Sequence, residues 1–171
     1  MTPNEFRQCI LPIKDKLYRF ALRMVGDQKE AEDILQDVLV KLWNNRDKMA
    51  SLVNLNAWCM RIVKNQALDR MKSKQFQTRS LDRATDIILH DDNAYHESEL
   101  SDMLKHIHRM MDRLPLVQKQ IIQLKDIDGF SYDEIATIME LSLTQVKVYL
   151  FRARTTIRSG MTTIALYGTN K

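Results

Sequence analysis

Apolar residues recur along most of this chain three and four positions apart, the spacing of one helix face, and almost nowhere alternate as a half-buried strand requires. Phe6, Ile10, Ile13, Leu17, Phe20, Ala21 and Met24 make a first stripe, with Pro12 near its start, and Gly26 and Asp27 break it. Ala31, Ile34, Leu35, Val38, Leu39 and Leu42 make a second, which predicts a helix from about Gln28 to Asn44. A third helix is expected from about Asn56 to Lys74. From Leu81 to about Ser101 the periodicity fades, with one apolar knot at Ile87 to Leu89. Helices resume near Asp102 and run through Leu114, and Pro115 starts another that reaches about Asp126.

Two start signals follow. Ser131 with Glu134 makes an S-x-x-E capping box, and Ser142 with Gln145 makes an S-x-x-Q box. Between them the short helix YDEIATIME is expected to bury Ile135, Ala136 and Met139. Two short capped helices joined by a tight turn at Glu140 and Leu141 predict a helix-turn-helix. The second of them buries Val146, Leu150, Ala153 and Ile157 and turns Lys147, Val148, Phe151, Arg152 and Thr155 outward. An outward Phe beside two cations, with no acid nearby, calls for a partner other than water. In a helix-turn-helix the second helix enters the major groove. Lys147 and Arg152 would then reach guanine acceptors or phosphates, Val148 and Phe151 thymine methyls, and Arg154 and Arg158 the backbone.

With 44% apolar residues but only four Gly and three Pro among 171, the chain suits helical cores and not a turn-rich β fold. The expected architecture is all-α: two small helical domains, residues 1–76 and 103–171, joined by an acidic flexible linker, 77–102. The net charge of +4 says little by itself. Its distribution says more. From Arg61 to Ser80 there are six cations against Asp69 alone, and from Leu141 onward five cations and no acid. Between Leu81 and Leu104 seven acids face Arg83 alone. Two basic blocks flanking an acidic one suggest two separate contacts with a polyanion.

Cys9 and Cys59 fit no disulfide or ligand framework and read as buried thiols of a reducing cytoplasm. No secretory signal and no membrane-spanning run is visible. His106 and His108 are two apart and point away from each other on a helix, and His90 and His96 have no cysteine near, so no metal site and no cofactor is expected. No nucleophile–base pair or phosphate loop appears, so the chain does not read as an enzyme.

Leu114 to Arg154, LPLVQKQIIQLKDIDGFSYDEIATIMELSLTQVKVYLFRAR, resembles the promoter-recognising C-terminal domain of bacterial sigma factors, most of all the small extracytoplasmic-function (ECF) type. EAEDILQDVLVKLW, Glu30 to Trp43, resembles the sigma helix that docks on the clamp of core RNA polymerase. Taken alone, its polar face of Asp33, Gln36, Asp37 and Lys41 also fits a solvated stripe. The resemblance implies that this face meets the polymerase. NAWCMRIVKNQALDRMKSK, Asn56 to Lys74, resembles the helix for the −10 promoter element. It places Trp58, Arg61, Lys64, Asn65, Asp69 and Arg70 at that DNA, with Asn65 helping to capture a flipped base and Arg61, Lys64 and Arg70 suited to phosphates. The −35 set is Thr144, Lys147, Val148, Phe151, Arg152, Arg154 and Arg158. Two departures stand against the family pattern. Lys64 where Arg is usual in the −10 helix keeps the charge but loses a bidentate fork, and the Val148–Tyr149 pair where Ser and Arg often stand implies a −35 preference of this protein's own.

The resemblance thus implies a factor that binds core polymerase and directs promoter-specific initiation. Its partners would be the polymerase, promoter DNA and an anti-sigma factor, and the free protein is expected to be a monomer. The acidic linker, by shielding the basic surfaces, further predicts a weak grip on duplex DNA by the lone protein. Two other readings stand beside it. One is a stand-alone helix-turn-helix regulator, a symmetric dimer on a palindromic site. The other is a helical adaptor that binds proteins only. Trp43 continues the apolar side of its helix, whereas Trp58 fits a core or a base-stacking role equally.

Overall fold

The computed structural model describes residues 2–49, 51–79 and 99–168. Helix α1 spans Pro3–Val25, α2 Gln28–Asn44, α3 Arg46–Met49 and α4 Leu55–Arg79. Helix α5 spans Glu99–Asp112, α6 Leu116–Ile122 with a π turn at Gln123–Ile127, α7 Tyr132–Met139 and α8 Leu143–Gly168. No strand occurs among the described residues, so the fold is all-α, as the periodicity predicts. The chain divides into two compact units, the first carrying α1 to α4 and the second α5, α6, most of α7 and α8. Of the expected linker, residues 80–98 lie outside the described residues, while 77–79 end α4 and 99–102 begin α5. Helix α4 outlasts its apolar stripe because Lys, Gln and Arg are strong helix formers in their own right.

Local chemistry starts and stops the first two helices. The Thr2 hydroxyl accepts from the Glu5 amide at 3.3 Å, and the Glu5 carboxylate accepts from the Thr2 amide at 2.7 Å. This capping box, with Pro3 at the first helical position, also holds the Glu5 carboxyl below the usual range. Gly26 ends α1 in the left-handed region at φ 69°, donating to the Leu22 carbonyl at 2.8 Å. Asp27 then caps α2 by accepting from the Glu30 amide at 2.8 Å.

The stripes bury nearly as expected. Ile10, Ile13, Leu17, Phe20, Ala21 and Met24 of α1 meet Ala31, Ile34, Leu35, Val38 and Leu42 of α2 and Ala57, Cys59, Met60, Val63 and Ala67 of α4. Each large side chain buried there contributes about 1.5–3 kcal/mol. Phe6 and Leu39 are only half-buried, at the margins of their stripes. Phe6 packs edge-to-face on Trp43 with ring centroids 5.2 Å apart, and the Arg46 guanidinium lies 4.4 Å from the centre of the same indole.

Cys9 is half-buried and Cys59 fully buried, both free. Burial, with a smaller contribution from Cys9, pushes the Cys59 thiol up to about 12. At pH 8 a colorimetric thiol reagent should therefore modify Cys9 in the native protein and reach Cys59 only after denaturation. Fast native labelling of Cys59, located by peptide mass, would contradict this packing.

In the second unit α8 packs on α5 and α6 through Val146, Leu150, Ala153 and Ile157. Pro115 precedes α6 as its cap instead of forming its first turn. The helix expected to run straight to Asp126 widens at its end: the Asp128 amide donates to the Gln123 carbonyl, five residues back, at 3.0 Å. Gln123 and Leu124 both turn inward there, and the Gln123 amide donates to the buried Asp128 carboxylate at 3.2 Å.

Candidate nucleic-acid interface

Both helices of the helix-turn-helix are started by reciprocal caps. The Ser131 amide donates to the Glu134 carboxylate at 2.7 Å and the Glu134 amide to the Ser131 hydroxyl at 3.2 Å. The Ser142 amide donates to Gln145 Oε1 at 2.9 Å and the Gln145 amide to the Ser142 hydroxyl at 3.2 Å. Between the helices Glu140 takes a left-handed φ of 57°, and the Leu141 amide reaches back to the Ala136 carbonyl at 3.1 Å. A side chain in that region costs about 1 kcal/mol, which the surrounding packing must offset. Helix α7 buries Ile135, Ile138 and Met139; Ala136, expected in the core, is half-buried because it stands one residue round from that face.

Helix α8 displays the face that its periodicity predicts. Thr144, Lys147, Val148, Arg152 and Arg158 are exposed, and Phe151 is 71% exposed. A phenyl ring left in water is a poor choice for stability and a good one for pressing on a base methyl. Arg154 is engaged within the unit. Its Nε donates to Asp126 Oδ2 at 3.0 Å and its Nη2 to Oδ1, a forked pair that raises its pKa. Arg154 thereby ties α8 to the π turn, a pairing between residues 28 apart. Tyr132, absent from the sequence-derived set, stands beside these residues, with the Lys125 and Lys147 ammoniums 4.7 and 5.8 Å from its ring centre.

On α4, Trp58, Arg61, Asn65, Asp69 and Lys72 fall within about 80° of one another at 100° per residue. Asn65 and Asp69 are exposed, Trp58 and Arg61 half-buried, and Lys64, at the border of the same face, is buried. Arg70 does not belong with them. It lies about 140° round the helix from their centre, at the edge that meets α2. There its Nη2 donates to Asp37 Oδ2 at 3.3 Å and its Nη1 stands 3.4 Å from Glu30.

Asp33 is half-buried on α2, and Gln36, Asp37 and Lys41 are exposed. The lower part of this stripe is knitted to α4. Gln66 Nε2 donates to Asp37 at 3.5 Å, Lys41 donates to Gln66 Oε1, and Lys74 pairs with Glu30 at 3.3 Å. Such exposed pairs contribute little stability each. Their consequence is orientation: the Asp37 carboxylate is steered by Arg70 while half its side chain stays open. Among the described residues no group of His, Cys, Asp and Glu is arranged to hold a metal ion, and His90 and His96 lie outside them. None of the described helices is long and apolar enough to cross a membrane.

Residues 10–77 match sigma-70 region 2 and residues 104–157 match sigma-70 region 4. The chain is 29% identical over 157 residues to the ECF RNA polymerase sigma factor SigW of Bacillus subtilis, covering 85% of this chain and 82% of that one. It is 28% identical over 154 residues to the RNA polymerase sigma factor SigV of the same organism, covering 90% and 89%. Among solved structures it is similar to the sigma factor RpoE, in complex with the anti-sigma factor NepR, from Bartonella quintana. That likeness has a TM-score of 0.80 at 25% identity and covers 92% of this chain and 97% of that one. Two region matches in chain order, a helix-turn-helix with an exposed cationic face and relatives aligned along most of their length lead to one conclusion: the chain belongs to the sigma-70 family, as an RNA polymerase sigma factor of the ECF type.

Proposed function

We propose that this sigma factor joins core RNA polymerase through the Asp33, Gln36, Asp37 and Lys41 stripe of α2 and directs initiation at promoters read twice. Helix α4 takes the −10 element through Trp58, Arg61, Lys64, Asn65 and Asp69. Helix α8 takes the −35 element through Thr144, Lys147, Val148, Phe151, Arg152 and Arg158. Arg154 and Arg70 serve mainly to place these surfaces, each being held by a carboxylate of its own unit. The observation that carries the reading is the exposed Phe151 between the cations of a doubly capped helix-turn-helix, in one chain with a region 2 match.

Residues 1–76 and 103–171 act as the two DNA-reading modules and 77–102 as their linker. The chain supplies binding energy and performs no covalent chemistry, so it needs no cofactor. It works as a cytoplasmic monomer until it meets the polymerase. The Bartonella RpoE is held by an anti-sigma factor in its solved complex, and a protein of that class is the regulator we assign to this chain.

The test is size exclusion of the purified protein mixed with sigma-free core polymerase at about 0.15 M salt, where exposed charges are well screened. Wild type should co-elute, and an Asp33→Arg, Asp37→Arg double variant with unchanged circular dichroism should not. No co-elution of folded wild type would leave an ordinary helix-turn-helix regulator.

A further inference from the structure

Tyr132 opens α7 directly after the Ser131 cap and lies on a groove along α8 of about 460 Å³ that Lys147, Phe151, Arg154 and Arg158 also line. Two ammoniums share its ring. Lys125 Nζ is 4.7 Å from the centroid and donates at 3.1 Å to the Phe130 carbonyl, so it is pinned from two sides. Lys147 Nζ, at 5.8 Å, is held by the ring at the outer limit of such a contact. Below them Arg154 is fastened to Asp126.

A lysine that reads a base has a weakness. Its point charge sits on a flexible four-carbon stem and fits any nearby acceptor, phosphate or base edge, without the geometry of a guanidinium fork. An aromatic face beside the stem narrows where the ammonium goes. The second cation keeps that hold loose, because Lys125, the nearer of two like charges around one ring centre, disfavours the approach of Lys147.

We propose that Tyr132 is a positioning residue that sets −35 specificity: its ring steers the Lys147 ammonium toward one base pair and, with Lys125 already on the ring, gives it up to the base acceptor. This rests on α8 being the helix that enters the −35 major groove.

The experiment uses holoenzyme assembled from this chain and core polymerase, on a promoter and single-base variants of its −35 element. Binding is measured for wild type, Tyr132→Phe, Tyr132→Leu, Lys147→Met and the Tyr132→Leu, Lys147→Met double variant. Tyr132→Phe should keep wild-type discrimination, because the ring remains. Tyr132→Leu should lose about threefold to fivefold of the discrimination at the same base pair that Lys147→Met affects, the scale of an exposed cation–π contact. The double variant should be no worse than Lys147→Met alone. Losses that multiply in the double variant overturn the proposal. So does a Tyr132→Phe loss equal to that of Tyr132→Leu, which would assign the effect to the hydroxyl. An equal drop by Tyr132→Leu on every −35 sequence overturns it too, as does a Tyr132→Leu protein that discriminates like wild type. If Lys147→Met is silent on every promoter, the recognition role of α8 itself fails and this inference falls with it.

Discussion

Replacing Lys147 and Arg152 together by Glu should lower transcription from a −35-dependent promoter by about 100-fold or more while leaving the protein folded and bound to core polymerase. Both side chains are exposed on α8, so the core formed by Val146, Leu150, Ala153 and Ile157 does not sense the change. A good side-chain contact to a base edge carries about 1–3 kcal/mol of discrimination, and two reversals also place anions against the phosphates. Every DNA phosphate that is no longer neutralised should further flatten the dependence of log affinity on log salt by about 0.9. The promoter is found first, by transcribing fragmented genomic DNA with wild-type holoenzyme. Run-off transcription then compares the proteins, with co-elution on core polymerase as the control. Unchanged run-off by a folded, polymerase-bound double variant would remove α8 from promoter reading.

Phe20→Ala should unfold the first unit at a much lower temperature. Phe20 is fully buried where α1 meets α2 and α4. Emptying such a site costs about 3–5 kcal/mol, the transfer of the ring plus the cavity it leaves. A small domain has only about 5–15 kcal/mol to lose, and each 1 kcal/mol moves the midpoint of one this size by about 4–8 °C. A drop of at least ~12 °C is expected from those figures. Both tryptophans, Trp43 and Trp58, lie on α2 and α4, so tryptophan fluorescence reports this unit without interference from the other. A shift of only a few degrees would mean that the site collapses around the gap or that Phe20 is less enclosed than its burial indicates.

What is legible in the sequence follows from interactions of short range. A buried stripe at helical spacing needs only the period of the helix, so Ile10 to Met24, Ala31 to Leu42 and Val146 to Ile157 predict their own burial almost residue by residue. Caps need partners three residues away, which is why Ser131 with Glu134 and Ser142 with Gln145 announce two helix starts. The exposed Phe151 follows from the same period. The family follows from two blocks of residues in chain order.

The tertiary structure decided which charged groups remain available to a partner. Arg70 and Arg154 look on paper like two more cations for DNA. Packing brings Asp37, 33 residues before Arg70, and Asp126, 28 residues before Arg154, within reach, and each carboxylate takes the guanidinium. Lys125 and Lys147 converge on Tyr132 only because α8 lies across α6, and nothing in their spacing announces it. The π turn likewise is not announced by the spacing: there Gln123 and Leu124, neighbours in the chain, are both buried. Period, caps and composition are properties of neighbours along the chain. The partner of a flexible charged side chain depends on which helices pack together, and that is settled only when the core closes.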